Sequence, residues 1–169
     1  GRKMKTNCFV DKILYGMFFV SKKPVLFRDL LEANSAYNDG MLVDPSKLNF
    51  RFKYGKSYII FGILCIVVLM PLIGVGHKFF EKLNIHFSLL ITILITSCIF
   101  IGFDIFKAYA RKKLTHKLIK DAWQVHFPYF PYEKYSTKAQ EIYDEAIKKE
   151  IPKRDLEQYV LDKLVTNNS

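Results

Sequence analysis

YIIFGILCIVVLMPLIGVG, residues 58–76, is nineteen positions without a charged side chain. At the α-helical rise such a run extends about 28 Å, close to the roughly 30 Å of hydrocarbon in a bilayer. A second run, LNIHFSLLITILITSCIFIGF at 83–103, is uncharged for twenty-one residues. It extends about 31 Å on the same rise. Helices apolar all round are unlike the core helices of a chain this small, which lacks the mass to cover them. Both runs are therefore predicted to cross a membrane.

The connection between them is only HKFFEK, residues 77–82. So short a loop predicts an antiparallel hairpin with both chain ends on one side. Lys and Arg near the ends of the spans set that side. The loop carries Lys78 and Lys82. The upstream flank carries Lys47, Arg51, Lys53 and Lys56, and the downstream flank Lys107, Arg111, Lys112, Lys113, Lys117 and Lys120. Both termini are expected to be cytoplasmic, in a membrane of the bacterial inner-membrane type.

Charge over the whole chain follows the same geography. The formal net charge is +10. Residues 1–57 hold 11 Lys/Arg against 5 Asp/Glu, and residues 104–120 hold 6 against Asp104 alone. Residues 121–169 hold 7 basic against 9 acidic groups. The basic excess thus borders the apolar block and fades away from it. Nucleic-acid binders carry their positive face on a soluble fold with groove-reading or base-stacking motifs, so no nucleic-acid partner is expected. Anionic lipid headgroups are: each Lys or Arg near an anionic leaflet gains about 1 kcal/mol. Lys107 to Lys120, followed by Trp123, are candidates for headgroup or partner contact.

Within the spans, Pro71 cannot donate to the carbonyl of Val67, so a local bend is expected. Ser88, Thr92 and Thr96 recur at i, i+4 and i+8, one small polar stripe, and Gly62 is a small position on the first span. Such residues let helix backbones approach in lipid. They are expected to pack against a helix, in the hairpin, in a second copy or in another subunit. Hydroxyls that merely bond their own i−4 carbonyls would give the same pattern.

The second span is predicted to continue as a basic cytoplasmic helix, 104–126, since neither Gly nor Pro interrupts it. It should end at the aromatic-proline connector 127–135, because a residue before proline avoids the helical region. Phe127, Tyr129, Phe130 and Tyr132 of that connector read equally as a docking segment or as a staple folding the tail. The tail, 136–165, reads as a helical hairpin opened by a Thr137–Gln140 capping box and broken at Pro152, with 166–169 as its end.

Residues 1–57 are less regular. Val25 to Ala36 is a helix candidate with Pro24 before it and Asn38-Asp39-Gly40 as a stop. Residues 8–20 suit an amphipathic helix or a strand, and 49–54 alternates like a strand. The apolar stretch Ile13 to Val20 is too short for a signal peptide and lacks a small-residue cleavage pattern. The expected fold is mainly all-α: a transmembrane hairpin, a basic juxtamembrane helix and a C-terminal helical hairpin.

No chemistry-bearing motif stands out. Cys8, Cys65 and Cys98 imply neither a disulfide framework nor a metal site. His77, His86 and Glu81 flank the loop as solvated groups, and His116 and His126, ten apart, fall on different helix faces. Asp104 lies at the edge of a span, three residues before Lys107, where an ion pair accounts for it. No catalytic residue, cofactor or metal is expected. The reading is a non-catalytic subunit of a larger inner-membrane complex. A lipid-binding or membrane-shaping protein is the alternative, and an oligomeric pore fits less well because the spans lack a charged face.

Overall fold

The computed structural model describes residues 8–167. The chain is mostly helical. In order, its elements are α1 (Cys8–Met17), β1 (Phe18–Val20), α2 (Phe27–Asn38), β2 (Phe50–Phe52), α3 (Tyr54–Phe80), α4 (Ile85–His126), α5 (Tyr132–Lys148) and α6 (Leu156–Thr166). β1 and β2 pair in a two-stranded sheet. Residues 8–20 therefore resolve into a helix and then a strand, and the 49–54 alternation into β2.

Two compact units share the chain. The first comprises the residues up to Phe19 and Phe52–Lys112, and the second Val20–Arg51 and Lys113–Ser169. α4 supplies residues to both.

The first unit is built on α3 and α4, both long and apolar enough to cross a membrane, with none of their apolar windows buried. α3 runs through Pro71. The two helices touch through aromatic rings near the charged ends. Tyr58 stacks on Phe103 at 4.7 Å, and Phe61 meets Phe103 and Phe106 at 5.1 and 5.6 Å. Further along, Leu64, Val68 and Leu69 face Leu94, Ile95 and Ile99 across an apolar crevice of about 370 Å³. The order of these contacts is antiparallel. α1 packs on the start of α3, burying Leu14 and Met17. Ser57, buried, sets its Oγ 2.7 Å from the Lys53 carbonyl and 3.2 Å from that of Met17.

The second unit is a helical domain with a conventional core. α2 packs on α5 and α6, and α5 on α6. Leu30, Leu31, Leu48, Leu114, Ile119, Val160 and Leu164 are fully buried in it. α2 ends as its sequence predicts. Gly40 takes φ +72° and the Met41 N–H reaches back to the Ala36 carbonyl at 2.8 Å, a left-handed stop that Gly adopts without strain. Glu150 performs the same turn after α5 with φ +54°, its successor Ile151 donating to Ala146.

The start of α5 differs from expectation. The helix begins at Tyr132, with Pro131 ahead of it, so Thr137 lies in the helix interior and forms no capping box. Pro131 is the N-cap, with ψ of 133° outside the helix, and its carbonyl accepts the first helical bonds from Lys134 and Tyr135. Gln140 is spent elsewhere: its side chain accepts from Asn38 Nδ2 and donates to Asp39 Oδ1, both at 3.0 Å, fastening the end of α2.

Candidate functional site

Nothing in the described residues forms a cluster of three or more His, Cys, Asp or Glu able to hold a metal ion. The candidate functional surfaces are therefore those of the apolar helices and of the segment from Lys107 to Tyr132.

The polar stripe lies on α4 within the first unit. Thr92 Oγ1 donates to the Ser88 carbonyl (2.9 Å) and Thr96 Oγ1 to the Thr92 carbonyl (2.8 Å). Ser97 does the same to Ile93 (2.9 Å). These hydroxyls are satisfied by their own helix, as Ser and Thr in apolar helices commonly are. Thr92 and Thr96 remain exposed and Ser88 half-buried. Open space surrounds the Gly62 Cα, with nothing for an added Cβ to meet. Thr92 and Thr96 thus face outward, and α3 meets α4 through Tyr58, Phe61, Phe103 and Phe106.

The basic segment divides between the units. In the first, Lys107 lays its ammonium over the rings of Phe52 (4.8 Å) and Tyr54 (5.1 Å). Arg111 is half-buried and Lys112 is exposed. In the second, Lys113 is exposed and Lys117 half-buried. Lys120 is held by Glu133 at 2.6 Å and covers the Tyr132 ring. The six cations are thus not equivalent; Lys112 and Lys113 are the ones most open to a surface.

Trp123 corrects an expectation. It is 1% exposed, so it touches neither lipid nor partner. It stacks on Phe127 (4.2 Å) and its Nε1 donates to the Phe130 carbonyl at 2.6 Å. The indole needs a partner for its N–H when buried, and the FPYFPY turn supplies one. Phe127 is likewise 1% exposed, packed on Phe27, and is core and not a docking residue. Phe130 and Tyr132 are half-buried, Phe130 against Tyr135 and Tyr132 against Trp123 and His116. Of these four aromatics, Tyr129, 89% exposed, is the one that projects from the connector. The doublet mainly staples the end of α4 to α5.

Two histidines of α4, His116 and His126, are structural. His126 Nε2 donates to the Val25 carbonyl at 2.7 Å. His116 stacks flat on Tyr37, rings 5.0 Å apart and 1° from parallel. Burial, helped by the nearby Lys120 charge, lowers the His116 pKa and keeps the ring neutral. Beside it, Tyr132 is pushed up to about 12, by burial first and then by Tyr37 and Glu133.

One ion network escaped the sequence reading. Lys47 bridges Asp29 (3.2 Å) and Glu32 (2.6 Å), and Arg28 adds a third contact to Glu32 at 3.2 Å. Partial burial would raise the Glu32 pKa, but the Lys47 and Arg28 charges outweigh it and hold the carboxylate below its ordinary range. Arg28 and Glu32 carry the i, i+4 spacing that signals such a pair; the reach to Lys47 has no local signature. No protein-family model matches the chain, and no curated protein or solved structure matches it.

Proposed function

We propose that the protein is a non-catalytic integral membrane subunit. α3 and α4 form a two-span hairpin that anchors the helical domain of the second unit in a larger inner-membrane assembly, with both termini cytoplasmic. The observation that carries this is the nakedness of the two helices. Val67, Val75, Phe100 and Ile101 are among the large apolar side chains exposed along them. In water that surface would cost about 25 cal/mol per Å², while a bilayer covers it. Lys and Arg crowd the ends joined to the rest of the chain and set the orientation. The exposed face of α4 bearing Thr92 and Thr96 offers small side chains to a helix of another subunit or a second copy.

Two measurements test the reading. In a chain freed of Cys8, Cys65 and Cys98, a single cysteine at Asn84 should be labelled by impermeant reagents only from outside the cell. Labelling from the cytoplasm overturns the orientation. Purification in mild detergent should bring down foreign subunits in fixed ratio, and Thr92→Leu should weaken that association.

A second reading has its own support in exposed Lys112 and Lys113, which suit an anionic lipid surface. Replacing both by Gln would remove about 2 kcal/mol of surface attraction, read as weaker binding of the chain to anionic vesicles and unchanged binding to neutral ones.

A further inference from the structure

The ring contacts between α3 and α4 lie at the charged end, where Tyr58 and Phe61 meet Phe103 and Phe106. Beyond them the two helices bound the apolar crevice of about 370 Å³. The gap has a local cause. Cys65 lies four residues along α3 from Phe61, and Cys98 lies five residues back along α4 from Phe103. At the helical rise these steps are about 6 and 7.5 Å, so the two cysteines stand at nearly one level. Both line the crevice, and every other lining residue is Leu, Ile, Val or Phe. Two small side chains set at one level leave space that a pair of leucines would fill.

Three properties of this space bear on its occupant. Its walls are apolar throughout. Water does not settle in such a space, and leaving it empty forfeits dispersion contacts along both walls. It is also deep. Cys65 is nine residues beyond Lys56, the last charge on α3 before Lys78, which is about 13 Å into the apolar run. Finally, it is narrow. On α3 the crevice runs from Phe61 to Leu69, about 12 Å. Spread over that length, 370 Å³ makes a slot about 6 Å across, whereas a helix with its side chains is about 10–12 Å across. A further helix does not fit; an extended hydrocarbon chain does. Leu64, Leu94 and Ile95 are exposed, so the slot opens sideways and such a chain can enter from beside the helices.

We infer that the crevice binds one acyl chain of a bilayer phospholipid, held between α3 and α4 with Cys65 and Cys98 beside its middle. The inference rests on the reading of α3 and α4 as membrane spans. The chain packs against both helices beyond their aromatic contact and so completes the hairpin. Since the lining residues are all apolar, the site recognises the chain and is indifferent to the headgroup.

The test uses the full chain, reconstituted in vesicles of phosphatidylcholine or of phosphatidylglycerol and then extracted in mild detergent. Native mass spectrometry counts the lipid carried through, and resistance to alkaline extraction scores insertion separately. One phospholipid per chain is expected from either vesicle. Cys65→Leu with Cys98→Leu fills the slot and should lower the retained fraction about tenfold, the scale set by overpacking an occupied space. Ile95→Phe fills it from α4 alone and serves if the double variant fails to insert. Cys65→Ala with Cys98→Ala keeps the slot open and should retain lipid as the parent does. Equal retention by the parent and an inserted filling variant overturns the site and puts the lipid elsewhere. Retention of phosphatidylglycerol alone assigns the binding to lysines and also overturns it. A lipid-free parent that resists alkali, monomer or dimer, overturns the site and leaves the spans standing. A parent released by alkali overturns both.

Discussion

α4 is one helix with two surfaces. From Ile85 to Tyr109 none of its side chains is buried, though most are apolar. From Leu114 to Trp123 it buries Leu114, Thr115, Leu118, Ile119, Ala122 and Trp123, and turns lysines outward or along its flanks. The second pattern is an apolar stripe at helical spacing, the mark of a helix that meets water on one side and a core on the other. The first has no buried stripe: it is long and apolar enough to cross a membrane, and it meets α3 through Phe103 and Phe106. The backbone is the same throughout; the side chains alone distinguish the two parts.

That contrast predicts its largest effect in the second unit. Trp123→Ala removes a fully buried ring, its stack on Phe127 and the hydrogen bond to Phe130. A loss of about 3–5 kcal/mol is expected, read as faster proteolysis of residues 113–167 in the detergent-solubilised chain. Phe100→Ala, on the exposed part of the same helix, should leave that protection within about 0.5 kcal/mol of the parent. Equal sensitivity at both positions would mean that Phe100 is also packed.

Charge should act in the opposite sense. Val67→Arg at the centre of α3 costs about 2.5–3.5 kcal/mol in insertion, visible as loss of the membrane-integrated fraction. Gln124→Arg, exposed on the water-facing part of α4, should change nothing beyond about 0.5 kcal/mol. If Val67→Arg inserts normally, that position lines a wet or paired environment and the lipid reading of α3 fails there.

Much of the architecture is legible from sequence because its determinants are local. The two long apolar helices follow from charge-free length. α2, expected from Val25 and found from Phe27, follows from Pro24 and Gly40; the break near Pro152 follows from proline itself. The misreadings have a common cause. Residues 113–126 carry enough lysine to look like a basic surface, but Leu114, Leu118, Ile119, Ala122 and Trp123 share one stripe, and that signal places Trp123 inside. What covers the stripe and α5 cannot be read locally. Asn34 donates to the Ser136 carbonyl across a separation of 102 residues, and Phe27 packs on Phe127. The capping box failed because the N-cap is Pro131, six residues ahead of Thr137.

The second unit should also answer to pH. His116 has a lowered pKa, so the folded state favours its neutral ring. Its contribution is complete above the ordinary value of 6.5 and is lost as pH falls through the lowered folded value. Glu32, also lowered, adds a loss of the same sign at more acid pH, below its ordinary 4.5. Midpoints of urea unfolding followed by Trp123 fluorescence should therefore decline in two stages on acidification. His116→Phe, which preserves a ring against Tyr37, should flatten the first stage and spare the second. An unchanged first stage would assign it to another group.

The smallest effect concerns the turn after α5. Gly40 and Glu150 close their helices in the same left-handed way, with φ of +72° and +54°. Glycine holds that conformation freely, whereas a side chain costs about 1–2 kcal/mol there. Glu150→Gly removes that strain but loosens the unfolded chain, which takes back part of the gain. A net stabilisation of about 0.5–1 kcal/mol is expected, as a higher urea midpoint with unchanged slope. Glu150 is exposed, so no packing is lost to confuse the comparison. Gly40→Glu, the reciprocal change, should cost a similar amount after α2. Should Glu150→Gly destabilise, the turn must be held by a contact of the Glu150 side chain, and the likeness between the two helix ends would stop at the backbone.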